Sequence, residues 1–181
     1  PSIKLEGFRF MSRQKDDWYP TPTDATESFL DVEKFEGSVW EPACGDGAIS
    51  KVLEAHGMDV TSNDLNDFGY GQSNIDFLME VRKEADNIIS NPPYKLASDF
   101  ISKAIDLSVG KHAWLLRLSF LEGIARHTRI YQNFPPARIW VFKRRLTIWR
   151  GDEEITGSGT TAYAWFVWER GNYQETKIGW I

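Results

Sequence analysis

The chain has 181 residues, enough for one domain with its own core, and no apolar run approaches the roughly 18 residues that a membrane span needs. A single cysteine cannot form an internal disulfide and the N-terminus lacks the basic-then-apolar order of a signal peptide, which points to a cytoplasmic protein. The net charge of -5 speaks against a polyanionic partner, yet residues 111–150 hold 9 basic and 1 acidic side chains, against 10 and 20 in residues 1–110.

Residues 1–17 read as an irregular segment. In TPTDATESFLDVEKF, Thr or Asp caps stand ahead of Phe29, Leu30 and Val32, which predicts a short helix. GSVWEPACGDG is a strand centred on Val39 and Trp40 that breaks at Pro42 into a glycine turn. Ile49, Val52 and Leu53 follow at helical spacing as far as Gly57, a natural stop. MDVTSNDL and NIIS are the next strands. After Asn91-Pro92-Pro93-Tyr94, a helix presents Leu96, Phe100, Ile101, Ala104 and Ile105 on one face. HAWLLRLSFL is a further strand and EGIARHTRIYQNF a further helix. RIWVFKRRLTIW and TAYAWFVWER are β-rich, separated by the polar, glycine-bearing RGDEEITGSGT. Alternation of strand and helix predicts an α/β domain with a mostly parallel sheet, helices on both faces and the closing strands as an antiparallel hairpin at one edge.

EPACGDG, residues 41–47, lies where the first strand turns into a helix, a place where glycines let backbone approach a ligand and N–H groups are unpaired. It is not a phosphate-binding P-loop, because no Gly-Lys-Ser/Thr follows, and Ser50 stands where a dinucleotide fingerprint has its third glycine. Alone it fits a structural turn equally well. Asp64 lies 19 residues beyond Gly45 at the end of the second strand, where a carboxylate commonly accepts ribose hydroxyls. Asp76 is one element further, with Phe77 as an apolar wall for a planar ring. Together they outline a nucleoside site without a phosphate-binding lysine. Two consecutive prolines exclude helix and central strand, so Asn91-Pro92-Pro93-Tyr94 is a rigid turn at the end of a buried strand.

In this order the motifs resemble those of the S-adenosylmethionine-dependent methyltransferases, and among them the amino-group DNA methyltransferases of the N6-adenine type. WYPTPTDATESFL (18–30) resembles the N-terminal cofactor motif, EPACGDG the glycine loop, SNDL the ribose acid, NIDF the acid for the cofactor's adenine, and NPPY the catalytic turn. With cofactor motifs ahead of the catalytic one, the chain resembles small phage- or prophage-encoded adenine methyltransferases over roughly residues 18–170. The resemblance implies a single class I catalytic domain over residues 1–181 with seven strands and no separate target-recognition domain. It further implies a monomer, working in a bacterial or phage-infected cytoplasm.

The implied cofactor is S-adenosylmethionine, with no metal. Tyr19 and Thr21 would contact it, as would Glu41, Pro42, Ala43, Cys44, Gly45, Asp46 and Gly47 of the loop, and Asp64, Asp76, Phe77 and Asn91 beyond it. Glu41 would meet the charged amino group, Asp64 the ribose and Asp76 the adenine amine. The catalytic set is Asn91, Pro92, Pro93 and Tyr94. The exocyclic amine of adenine is a poor nucleophile, so the protein must position it and accept its protons, through the Asn91 side chain and the Pro92 carbonyl. Tyr94 would face a base swung out of its helix. Cys44 reads as packing rather than as a nucleophile, which disfavours cytosine-C5 chemistry.

Arg117, Arg126, Arg129, Lys143, Arg144, Arg145 and Arg150 are the expected phosphate contacts to DNA, or to RNA, with little sequence preference. The competing readings are methylation of RNA or of a protein glutamine amide, since the turn recognises a conjugated –NH₂ rather than a whole base, and a non-catalytic nucleic-acid-binding module.

Overall fold

The structure is a computed structural model that describes residues 19–107, 109–148, 161–172 and 174–181. The segment before Tyr19, the RGDEEITGSGT connection and Arg150 lie outside the described residues. Seven strands form one sheet: β1 (Val39–Glu41), β2 (Val60–Ser62), β3 (Asn87–Ser90), β4 (Lys111–Arg117), β5 (Arg138–Val141), β6 (Tyr163–Glu169) and β7 (Lys177–Trp180). Their order is β2-β1-β3-β4-β6-β5-β7. β1 to β4 are mutually parallel, β6 runs antiparallel between β4 and β5, and β5 and β7 are again parallel. The C-terminal ends of β1, β2, β3 and β4 therefore share one edge of the sheet, and the loops leaving them converge there.

Successive residues alternate between two apolar layers, as a period of two requires. Val39, Ile89, Ala113, Leu115, Trp165 and Val167 face α1 (Thr23–Val32) and α2 (Ala48–Ala55). Trp40, Ile88, Trp114, Leu116, Phe166 and Trp168 face α3 (Ala97–Asp106) and Ile130. β1, β3 and the middle of β4 are buried along their length, which is why their apolar residues stand side by side, as in Val39-Trp40, Ile88-Ile89 and Ala113 to Leu116, instead of alternating with polar ones. α1 docks through Phe29, stacked on Trp165 with ring centroids 4.5 Å apart, while the Trp165 indole donates to the Ala25 carbonyl at 3.0 Å.

The closing strands do pair antiparallel, from Arg138 opposite Val167 to Val141 opposite Ala164. They do not form the sheet edge, however. β6 lies inside, and the edge is β7, which the sequence reading missed because KIGW is short and interrupted by Gly179. That glycine is needed where it stands, since a Cβ there would run into the Trp140 ring. The strand expected over RIWVFKRRLTIW stops at Val141, and EGIARHTRIYQNF makes one α-turn, Ile124–Arg126, passing into a π-turn, His127–Tyr131. Among the described residues no helix is long and apolar enough to cross a membrane, and no group of three His, Cys, Asp or Glu side chains is placed to hold a metal ion.

The opposite end of the sheet is fastened by Glu33, buried just after α1. It accepts from Arg138 Nε and Nη2, both at 2.8 Å, from Trp140 Nε1 at 2.9 Å and from Lys111 Nζ at 3.0 Å. Arg138 also donates to Glu169 at 2.7 Å. Burial alone would raise the Glu33 pKa, but the hydrogen bonds from Arg138, Trp140 and Lys111 outweigh it and hold the carboxyl below its ordinary range. Two cations of the basic block are thus structural. Glu33→Ala is expected to destabilise the fold by on the order of 3 kcal/mol, because it strands two partly buried cations. A lowered carboxylate pKa gives stability that is present above the unfolded value and lost as pH falls through the folded one. Urea titrations of both proteins should therefore diverge at neutral pH and converge in acid below the ordinary glutamate range.

Candidate active site

Three strand ends bring the site together. β1 ends on Glu41, which is only 1% exposed and leads into the glycine loop. Its carboxylate accepts from the Ser50 backbone N–H at 2.8 Å and from the Ser50 hydroxyl, and Ser50 in turn meets Ser62 of β2 at 2.6 Å. Ser50 therefore has a task of its own at the place of a third fingerprint glycine. Burial raises the Glu41 pKa well above the ordinary range against the Ser50 hydrogen bonds, and the nearby Asp64 and Asp46 raise it further. Gly47 adopts φ +81° at the start of α2, and a Cβ there would lie 2.5 Å from the Tyr70 ring, so both its conformation and the close approach require glycine.

Asp64, past the end of β2, clamps this loop. Oδ2 accepts from Gly45 N at 3.1 Å and Oδ1 from Asn66 N at 2.9 Å. The cavity above it is lined by Glu41, Asp46 and Asp64 among others and, among the described residues, by no lysine, arginine or histidine. One oxygen of Asp46, Oδ1, is buried without a hydrogen-bond partner among the described residues. Three carboxylates and no cation suit a ligand that brings positive charge and hydroxyl donors, and they repel a phosphate. Cys44 lies in the floor. Burial, then Glu41 and Asp64, pushes its thiol up to about 12, which leaves it protonated and unreactive.

β3 ends on Ser90 and delivers Asn91 to the same cavity. The Asn91 amide nitrogen donates to the Tyr19 carbonyl at 3.0 Å and to Thr21 Oγ1 at 3.1 Å, so residues 19–21 are tied onto the Asn91–Tyr94 turn. With its nitrogen engaged, Asn91 keeps its oxygen as the acceptor for a ligand. Pro92, Pro93 and Tyr94 complete this wall. The Tyr94 ring lies 5.7 Å from Tyr19 and 6.0 Å from Tyr163, and the Arg117 guanidinium sits over it at 4.7 Å. Its hydroxyl is buried without a hydrogen-bond partner among the described residues, and burial, with Tyr163 beside it, keeps the phenol neutral.

Four expected cofactor contacts do not line this cavity: Pro42 and Gly47, within the glycine loop, and Asp76 and Phe77, beyond it. Phe77 is 1% exposed and packs among Trp40, Phe100 and Trp114, so its ring belongs to the core and offers no wall to a ligand. Asp76 caps the turn Phe77–Met79 by accepting from Leu78 N at 3.0 Å and does not line the cavity. Beside Tyr19 and Tyr94, the cavity is lined by a further aromatic ring that was not expected, Phe68, in the loop after β2. NDLNDFGYGQ carries the signal for it, an aromatic ring among small and polar residues directly beyond a strand-end acid. Tyr70, from the same loop, covers the glycine turn and donates to Glu54 at 2.7 Å.

The basic residues divide. Arg117 ends β4, and with Arg126 and Lys95 it lines a second cleft on Tyr94. Arg129 is paired with Asp99 at 2.8 Å. Lys143, Arg144 and Arg145 are exposed in a bend beyond β5, at the site's end of the sheet, and no strand geometry forces them onto alternate faces. His112 stands at the start of β4, at the other end, where its Nδ1 accepts from the Trp114 indole at 2.7 Å.

No family model matches the sequence, and no curated protein matches it. Solved structures do. A modification subunit of a putative type I restriction enzyme from Vibrio vulnificus aligns over 91% of this chain at 14% identity and a TM-score of 0.59, and the chain spans about half, 46%, of that subunit. A putative RNA methyltransferase from Pyrococcus horikoshii aligns over 92% of each chain at 16% identity and a TM-score of 0.63. Magnesium protoporphyrin IX methyltransferase from Synechocystis, solved with bound S-adenosylmethionine, aligns over 82% of this chain and 79% of its own at 17% identity and a TM-score of 0.56. The chain thus has the fold of the S-adenosylmethionine-dependent methyltransferases.

Proposed function

We propose that the protein is an S-adenosylmethionine-dependent methyltransferase acting on the N6 amine of adenine in DNA, with little sequence preference. The observation that carries this reading is Asn91, whose amide nitrogen is engaged by Tyr19 and Thr21 so that its oxygen remains as an acceptor beside a cavity of three carboxylates. The donor set fits the cofactor: Glu41 suits an ammonium, Asp64 has lone pairs left for ribose hydroxyls, and Asp46 Oδ1 is an acceptor awaiting a donor. When bound, the cofactor supplies a methyl group already activated on a sulfonium. The chain supplies position and acceptors. Asn91 Oδ1 and the Pro92 carbonyl take the two N–H groups of the amine, which favours a pyramidal nitrogen with its lone pair free. Pro93 and Pro92 fix the turn so that these acceptors need no reorganisation. The extra proton on nitrogen leaves to water after transfer, so no dedicated base is required.

The test is transfer of labelled methyl groups to DNA, RNA and protein substrates, with the product nucleoside identified by chromatography and mass spectrometry. N6-methyladenosine's deoxy form from DNA is the expected product. RNA is the second reading, favoured by the neighbour that aligns over 92% of both chains, and label confined to RNA would replace the first. Label recovered on oxygen or on protein amide would overturn both.

Cofactor affinity should also depend on pH. Burial raises the Glu41 pKa, so an ammonium can pair with it only as a proton leaves. Binding is therefore expected to tighten as pH rises through the Glu41 titration. Calorimetry in two buffers of different ionisation enthalpy checks this by reading proton release, which Glu41→Gln should abolish.

A further inference from the structure

Tyr94 has a cavity on each side, and the two carry opposite charge. Beyond the ring from the glycine loop lies a cleft of about 270 Å³ whose charged lining, among the described residues, is Lys95, Arg117 and Arg126, with no carboxylate. Ser119 adds a hydroxyl there. Arg117 rests over the Tyr94 ring and Arg126 over the Phe120 ring, each at 4.7 Å from the centroid, and neither pairs with a carboxylate among the described residues. Aromatic faces hold a guanidinium in place without neutralising it, so both keep their full charge and their N–H forks for an incoming anion. The arrangement also places a cation over a face of the Tyr94 ring.

We infer that this cleft takes a phosphodiester of the substrate strand between Arg117 and Arg126, and that Arg117 leaves the Tyr94 ring to do so, yielding that face to the target base. The inference rests on the proposed nucleic-acid substrate. Arg117 is here a positioning residue: it holds the strand, it covers Tyr94 when no strand is present, and it takes no part in the chemical step. A phosphodiester suits the site because a guanidinium fork meets two of its oxygens, and because the acidic cavity across Tyr94 repels the same group.

The experiment is methyl transfer to oligonucleotides in which the linkages around the methylated base are replaced, one at a time, by neutral methylphosphonates. With the natural protein, one linkage is expected to raise KM about tenfold with kcat nearly unchanged. R117Q and R126Q should show that raised KM on the all-phosphate strand and lose sensitivity to that linkage, while R117K, which keeps the charge, should recover part of it. K143Q, outside the cleft, should leave the linkage preference intact. Cofactor affinity by calorimetry should be the same in all of them. Equal tolerance of every linkage by the natural protein, or undiminished linkage sensitivity in R117Q, overturns the inference. Anisotropy of a labelled strand lacking adenine reads the cleft without methyl transfer: weaker binding to R117Q than to K83Q, a change ahead of β3 at the far end of the sheet, sustains it even where the N6-adenine reading fails, and equal binding rejects it.

Discussion

Asn91→Ala is expected to lower kcat by about 10²–10³, the scale of losing one preorganised acceptor or donor that acts in the transition state. The side chain has two duties, and alanine ends both. On the proposed function its oxygen is the group offered to the amine, and its nitrogen ties residues 19–21 to the turn through Tyr19 O and Thr21 Oγ1. Since Tyr19 and Thr21 line the cofactor cavity, affinity should fall as well, by several fold. Asn91→Asp separates the duties. It keeps an acceptor for the amine and loses the donor to the Tyr19 carbonyl, so it should retain far more turnover than alanine while binding cofactor less tightly. Single-turnover rates at saturating cofactor, beside calorimetric Kd values, make the distinction. Near-normal turnover in the alanine variant would remove the turn from the chemistry.

Asp64→Ala should be the more damaging change for binding. Both carboxylate oxygens are already engaged by backbone, one by Gly45 N and one by Asn66 N, so alanine leaves two N–H groups unpaired. A ribose hydroxyl left without its acceptor costs about 1–3 kcal/mol, roughly a fivefold to 150-fold weaker cofactor complex, while the unpaired N–H groups carry a cost of their own. Part of that cost falls on the protein alone, because Gly45 belongs to the loop that Asp64 clamps. A lowered melting temperature without any ligand is therefore expected, which a residue acting only on ribose would not give. Melting curves with and without cofactor check this, and an unchanged curve together with unchanged affinity would show that Asp64 holds neither loop nor ligand.

The layered fold was legible because β3, β4 and β6 are buried on both faces and carry short apolar clusters bounded by turn residues and, in β6, rich in aromatic rings. β7 was not, since its strand character comes from pairing with β5 and from Trp140 lying over Gly179, neither of which leaves a local pattern in KIGW. At the site, the spacing from Gly45 to Asp64 marked residues that do converge. Phe77 misled because a phenylalanine beside an acid looks the same in sequence whether its ring faces a ligand or the core. Arg117 was marked by charge alone. Its stacking on Tyr94 arises because β3 and β4 are neighbours in the sheet, a tertiary fact with no trace in the spacing of the two residues.

A single aromatic ring separates two fields of opposite sign, and salt does not treat them alike. Glu41 and Asp64 are buried in the acidic cavity, where mobile ions screen poorly, whereas the side chains beyond β4 and β5 meet open solvent and are screened within about 10 Å at 0.1 M. Raising ionic strength should loosen a bound strand and leave a bound cofactor almost untouched. The protein would then wait loaded, and the local ionic environment rather than the supply of methyl donor would govern how often it works.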